Sequence, residues 1–255
     1  MFNDIYKYRN LIKELVTRDI KRKYRRSILG ILWSMLNPLL IMLITAMVFS
    51  NLFRFEIHNF ALYLLTGQMI FTFYSEATNF AMGSIVENSS LIKKVYIPKY
   101  LFPISRVVSS GVNLLLTLPA MIVIMLVTGQ TIDLKIVLCF VPLLLLFIFC
   151  IGIGLILSSL AVYFRDMFHL YGVILTALNY ATPIFYPENI VPEKFKFLIQ
   201  YNPLYYYLNF FREIVYNNNI PDFGLLCLCS SISFFALFMG SYFFVKRQNE
   251  FILYI

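Results

Sequence analysis

The sequence predicts an all-α membrane protein, and three observations carry that prediction. Six apolar runs, at 28–53, 60–84, 104–128, 136–162, 169–186 and 222–245, interrupt the chain. At 1.5 Å per residue each can cross the roughly 30 Å hydrocarbon core of a bilayer, the fifth only just. The composition is 60% hydrophobic and 13% charged, against about 45–50% and about 25% for soluble domains. Third, Lys7, Arg9, Lys13, Arg18, Lys21, Arg22, Lys23, Arg25 and Arg26 all precede the first run. Basic residues placed beside spans set orientation, so the net charge of +8 is a topology signal and not a nucleic-acid footprint. No soluble domain of useful size fits between the runs, which makes 1–255 a single transmembrane domain.

Before the first run, residues 5–24 place Ile5, Tyr8, Ile12, Leu15, Val16 and Ile20 at helical spacing, with Lys and Arg filling much of the other face. This pattern predicts an amphipathic helix lying on a membrane surface. It is too long and too basic for a cleaved signal peptide, and no small-residue cleavage site follows the first run. With the N-terminus inside, sixteen of the 21 Lys and Arg fall on inner segments. Six spans then leave both termini cytoplasmic.

Two connections stand out. Residues 86–100 contain "NSSLIKKVYIPKY", where a Ser-Ser start, a basic pair and a proline predict a short helix bounded by turns. The segment from 186 to 221 holds Pro187, Pro192, Pro203 and Pro221 and is too aromatic to be disordered. As a full span it would bury Asn202-Pro203 in hydrocarbon, where freed backbone groups need partners. It is therefore expected to form two short helices, 193–201 and 204–217, dipping in from outside and returning: a re-entrant hairpin at 193–217 between spans five and six.

Catalytic chemistry is thin. No GxxxxGK[ST] phosphate loop occurs, and the only histidines, His58 and His169, lie far apart at span edges. Cys139, Cys150, Cys227 and Cys229 lack metal-ligand or disulfide spacing and read as buried small hydrophobes. Glu76 is the clearest acid at membrane depth. It is a functional hypothesis by default or, on the plainer reading, the partner of a base such as Arg106. Asp166 after Arg165 reads as an ion pair or helix cap at a turn.

Five motifs now converge: "RDIKRKYRRSILGILWSMLNPLL" at 18–40, "NSSLIKKVYIPKYLFPIS" at 88–105, "VYFRDM" at 162–167, "ATPIFYPENIVP" at 181–192 and "YNPLYYYLNFFRE" at 201–213. In this order and spacing the chain resembles, over nearly its whole length, the membrane permease subunits of type-2 ABC exporters for O-antigen, teichoic acid and capsule. Tyr96-Ile97-Pro98 stands where many members have Phe-Pro, a conservative departure.

The resemblance implies a homodimer driven by two copies of a separate ABC ATPase chain, which would hold ATP and Mg, this chain having no cofactor of its own. The substrate would be a lipid-linked glycan, the location the bacterial cytoplasmic (inner) membrane, and the surroundings membrane lipid, with no nucleic acid. It implies ATPase-coupling roles for Arg18, Asp19, Lys93, Lys94, Tyr96 and Pro98. Lys93 and Lys94 meet an acidic rim on the ATPase or simply serve topology. Phe71, Tyr74 and Tyr180, with Tyr63, Phe73 and Tyr171, are candidates to line a translocation path because they lie within spans. The resemblance also implies that the hairpin acts as an outer gate with Tyr201, Tyr205, Tyr206 and Tyr207 at the exit, where Arg212 and Glu213 either pair with neighbours or face the glycan. The competing readings are a drug or lipid exporter of the same superfamily, disfavoured by "TPIFYP" and "YNP", a membrane transferase on lipid-linked sugar, which would want clustered acids or histidines, and a purely structural subunit.

Overall fold

The computed structural model describes residues 6–25, 27–52 and 57–254. Ile5, Arg26, Arg54 and the end of the first apolar run at residue 53 lie outside the described residues. Every regular element among the described residues is helical.

Helix α1 is Arg9–Tyr24, and a 3₁₀ turn at Gly30–Leu32 leads into α2, Trp33–Leu52. Then come α3 (Phe60–Glu87), the single turn α4 (Ser89–Ile92) and α5 (Leu101–Val127). A 3₁₀ stretch at Leu134–Cys139 opens into α6, Phe140–Tyr163, followed by α7, Met167–Ala181. Two short helices, α8 (Lys196–Gln200) and α9 (Pro203–Val215), precede α10 (Phe223–Arg247) and a last turn, α11 (Phe251–Tyr254). By length and composition four helical stretches can cross a bilayer: Gly30–Phe49, Leu101–Val127, Leu134–Tyr163 and Phe223–Arg247. Helix α3 is longer than most of these but carries Gln68, Glu76 and Asn79, and α7 has only 15 residues.

The long helices run between two ends. At one, Leu15 of α1, Ile85 of α3, Ile92 of α4, Leu101 of α5, Val162 of α6, Phe244 of α10 and Phe251 of α11 form one apolar cluster. At the other, Asn59 before α3 donates to Thr128 after α5 at 2.9 Å, Gln130 donates to the Tyr216 carbonyl at 2.9 Å, and Lys135 reaches the Asn218 carbonyl at 3.4 Å. Successive long helices therefore alternate in direction, and the segment 182–219 lies opposite the described termini.

Helix α3 is the axis of the bundle. Seventeen of its 28 residues are buried, and α2, α5, α6, α7 and α9 all pack on it. A helix enclosed by protein need not be uniformly apolar where polar side chains find partners nearby: Thr78 donates to the Tyr74 carbonyl at 2.7 Å, and Tyr171 of α7 donates to the Thr78 hydroxyl at 2.6 Å. Helices α6 and α10 approach most closely where Gly152 meets Ala236 and Gly240. A Cβ on Gly152 would fall on the Ala236 backbone, and one on Gly240 on the Gly152 carbonyl. Small residues let helix backbones meet where solvent gives no hydrophobic drive, and Ser233 of α10 ties the pair by donating to the Leu145 carbonyl at 2.8 Å.

Helix α7 stops at Ala181, five residues short of the apolar run it belongs to. The cause is Pro183, which disfavours helical backbone at Thr182, and Thr182 is extended with ψ 131°. Helices α8 and α9 break at Asn202-Pro203. Pro203 occupies the first turn of α9, where a missing N–H costs nothing. Asn202 caps the helix by accepting from Leu204 N at 3.0 Å and pins the break to α7 by donating to Thr182 Oγ1 at 2.7 Å.

Candidate functional site

The end that carries the described termini is built on charge. Asp19 of α1 is nearly buried and receives Arg106 Nη1 of α5 at 3.2 Å, while Arg106 Nη2 holds Glu87 at the end of α3 at 2.6 Å. Arg18 bridges to Asn88 Oδ1 at 3.1 Å, and Ser109 approaches Asp19 Oδ2 at 3.5 Å. One network thus joins α1 to both helices that flank residues 88–100. Buried Ile92 and Tyr100 bracket that connection, whereas Lys93, Lys94, Val95 and Tyr96 are exposed, Tyr96 at 97%.

A second brace comes from the C-terminal residues. Lys99 donates to the Gln248 carbonyl at 2.6 Å, and partial burial lowers its ammonium pKa below the ordinary lysine value. Phe251 is fully buried against Phe244, ring centroids 5.3 Å apart. The exposed tip 93–96 therefore projects from a base to which α1, α3, α5 and α11 all contribute.

Above that base α1, α2, α3 and α5 line a half-open cavity of about 350 Å³. Its polar centre is Glu76, whose Oε1 accepts from Lys23 at 2.7 Å and from Asn113 at 2.8 Å. The expected partner, Arg106, is elsewhere for a reason of register. In antiparallel α3 and α5, a residue nearer the end of one helix faces a residue nearer the start of the other. Arg106 faces Glu87, and Glu76, about 16 Å further along at 1.5 Å per residue, faces Asn113.

At the opposite end Arg212 of α9 is buried without an acid among its described contacts. It donates to the Pro183 carbonyl at 2.7 Å, the Tyr63 carbonyl at 3.0 Å, and, more weakly, the Ile184 carbonyl and Thr66 hydroxyl, each at 3.4 Å. Its guanidinium lies 3.5 Å from the centroid of the Tyr63 ring. The planar fork and cation–π contact are what Lys lacks. Gly67 makes the space: a Cβ there would stand 3.0 Å from Arg212 Nη2. Neighbouring Glu213 accepts instead from Asn217 at 3.1 Å and Asn219 at 3.5 Å.

The residues singled out in the sequence fall into groups. Arg18 and Asp19 join the network at the foot of the 88–100 connection, and Lys93, Lys94 and Tyr96 stand on its exposed tip, with Pro98 half-buried behind them. The aromatics do not converge. Tyr74 is buried and stacks on Phe149 at 6.0 Å, Phe71 is half-buried, and Tyr180 and Tyr201 are exposed at 65% and 86%. Tyr205 donates to Glu188 at 2.7 Å. Cys139, Cys150 and Cys229 are buried, but Cys227 is exposed, a correction to the reading of all four as core residues: its position on α10 faces outward. The side chain of Asp166 makes no cap bond to α7. Sequence reasoning missed Asn113, Ser110 and Gln68, which look like stray polar residues in apolar runs until the helices are paired.

Apolar helices closing around polar side chains, four of them long and apolar enough to cross a bilayer, mark an integral membrane protein. A family model described as ABC-2 type transporter matches residues 10–216, and the chain belongs to that family. It is 31% identical to the O-antigen export system permease protein RfbA of Myxococcus xanthus over 253 residues, covering 98% of this chain and 97% of that protein. With a Klebsiella pneumoniae protein of the same name it shares 32% identity over 213 residues, 83% of this chain and 82% of the relative. The polysialic acid transport protein KpsM of Escherichia coli is 24% identical over 245 residues, 93% of each chain.

Proposed function

We propose that this chain is the permease half of an ATP-driven exporter that moves a lipid-linked polysaccharide of the O-antigen type outward across the bacterial inner membrane. The observation that carries the reading is the end-to-end similarity to permeases named for O-antigen export. In this reading the six long helices are six spans: α3 crosses inside a protein sheath, and α7 crosses as the short fifth span. Helix α1 lies on the cytoplasmic face, both termini are cytoplasmic, and α8 and α9 form a re-entrant hairpin on the outer side. Two copies assemble with two ATPase chains, which supply nucleotide hydrolysis.

Mechanically, the exposed tip 93–96 takes the ATPase stroke. The Asp19–Arg106–Glu87 network and the Lys99–Gln248 clamp support this, because they make the tip's base stiff enough to pass displacement to α3 and α5. Disrupting the gene in its own host and comparing glycan on whole cells with glycan in lysed cells tests the function. Loss of surface glycan with lipid-linked glycan held inside is the expected result. Unchanged surface glycan with no internal accumulation overturns the proposal.

A further inference from the structure

The cavity bounded by α1, α2, α3 and α5 has features of a built site. Its lining joins amides, hydroxyls and one carboxylate to a flat aromatic face: Asn37, Gln68, Asn113, Ser110, Glu76 and Trp33. The two buried side-chain atoms without a hydrogen-bond partner among the described residues, Ser110 Oγ and Gln68 Oε1, both belong to residues of this lining. Ser110 is 1% exposed. A helical serine has a default acceptor three or four residues back. Ser105 and Ser109 use it, donating to Phe102 and Ser105 carbonyls at 2.8 and 2.9 Å, and Ser110 does not. Buried polar groups left in this way call for a partner that the protein itself does not provide.

The lining also selects the chemistry of that partner. An anionic headgroup is disfavoured, because the only cation on the lining among the described residues, Lys23, is already held by Glu76 at 2.7 Å. Lys23 and Asn113 both donate to Glu76 Oε1, and Oε2 remains an acceptor for a ligand hydroxyl. Amides and a carboxylate arranged beside an indole suit vicinal hydroxyls on one side and the C–H face of a pyranose on the other. A volume of about 350 Å³ is at the small end of ligand pockets, which run to about 1,000 Å³, and fits a mono- or disaccharide.

We propose that this cavity is a sugar subsite that holds the terminal one or two sugar rings of the exported glycan at the membrane face where α1 lies. Trp33 covers the ring's apolar face, Asn113, Glu76 Oε2 and Gln68 meet its hydroxyls, and Ser110 gains the partner it lacks. The inference rests on the export reading and deepens it.

Trp33 is the only tryptophan in the 255 residues and lines this cavity, so tryptophan emission from the purified full chain, reconstituted in lipid vesicles free of other protein, reports on its surroundings. The probes are oligosaccharide released from the host's own surface glycan by mild acid, the intact lipid-linked glycan, and the polyprenyl phosphate without sugar. The expected result is a saturable change in Trp33 emission with both sugar-bearing probes. Binding should be roughly threefold to tenfold weaker in Ser110→Ala, the range of one lost hydrogen bond, and more than tenfold weaker in Asn113→Leu. Ser110→Ala removes a hydroxyl with no protein partner, so folding is preserved. No saturable change, an equal response to the sugar-free polyprenyl phosphate, or unaltered binding in Ser110→Ala would overturn the subsite. If gene disruption abolishes surface glycan while the sugar probes fail, the subsite falls and the export reading stands. If surface glycan is unaffected by disruption, the export reading falls, and the subsite's assignment to that glycan falls with it.

Discussion

Arg106 and Asp19 face each other at 3.2 Å across the junction of α1 with α5, both side chains nearly buried. The pair makes the amphipathic helix part of the bundle, where lipid attraction alone would make its charges interchangeable. Replacing Asp19 by Asn should lower stability by about 2 kcal/mol, less than the roughly 3–5 kcal/mol of a fully buried pair because Glu87 still holds Arg106. Export should fall with it. Replacing Lys21 and Arg22 together should cost surface attachment, about 1 kcal/mol per charge, and leave the thermal midpoint in detergent unchanged. Equal midpoint losses in the two variants would count against the network.

Arg212 anchors α9 through carbonyls, so its replacement strands acceptors. Arg212→Met should destabilise the chain by about 3 kcal/mol, given about 1–3 kcal/mol for each buried group left unpaired. Arg212→Lys should recover only part of that, because one ammonium cannot span the Pro183 and Tyr63 carbonyls and also cover the ring. Thermal unfolding of both variants decides the point; full recovery by Lys would show that charge alone matters.

The crossing of α6 and α10 has no room for a side chain. Gly152→Val and Gly240→Val should each force the helices apart and abolish accumulation of folded protein in membranes, whereas Gly172→Ala on α7, which meets open space, should be silent. Quantitative immunoblotting of membrane fractions reads both.

Single cysteines placed at Lys94 or Tyr96, after the four native cysteines are replaced by Ala, should crosslink to the ATPase chain. Crosslinking at residue 252 but never at 94 or 96 would move the coupling surface to the C-terminal residues.

Cysteines at Lys194 and Asn217 should both react with a membrane-impermeant thiol reagent added to intact cells, since a returning hairpin keeps both ends outside. Reaction of one only after lysis would make 194–217 a crossing segment.

The helical class was legible because apolar runs bounded by prolines and charges leave little else for a chain in lipid. The Asn202-Pro203 break was legible for the same local reason. Partners were not. Glu76 reads as a neighbour of Arg106 until the antiparallel register of α3 and α5 hands it Lys23 and Asn113. Arg212 reads as pairing with a neighbour or facing a glycan, and its partners, which come from residues 63–66 and 183–184, are carbonyls and a hydroxyl that only the fold brings to it. Phe251 gives no hint in sequence that it folds back, since only the cluster around Phe244 and Tyr163 defines its place.

The enclosed position of α3 has a consequence for how the protein is made. Insertion machinery releases a segment into lipid according to that segment's own affinity for hydrocarbon, and a helix bearing Gln68, Glu76 and Asn79 gains little by leaving alone. Asn113 and Lys23, which satisfy Glu76, lie on helices on either side of it in the chain, and α5 emerges from the ribosome later. Helix α3 is therefore expected to wait at the exit until α5 arrives and to partition together with it, so that a mutation in α5 would strand a helix whose own sequence is untouched.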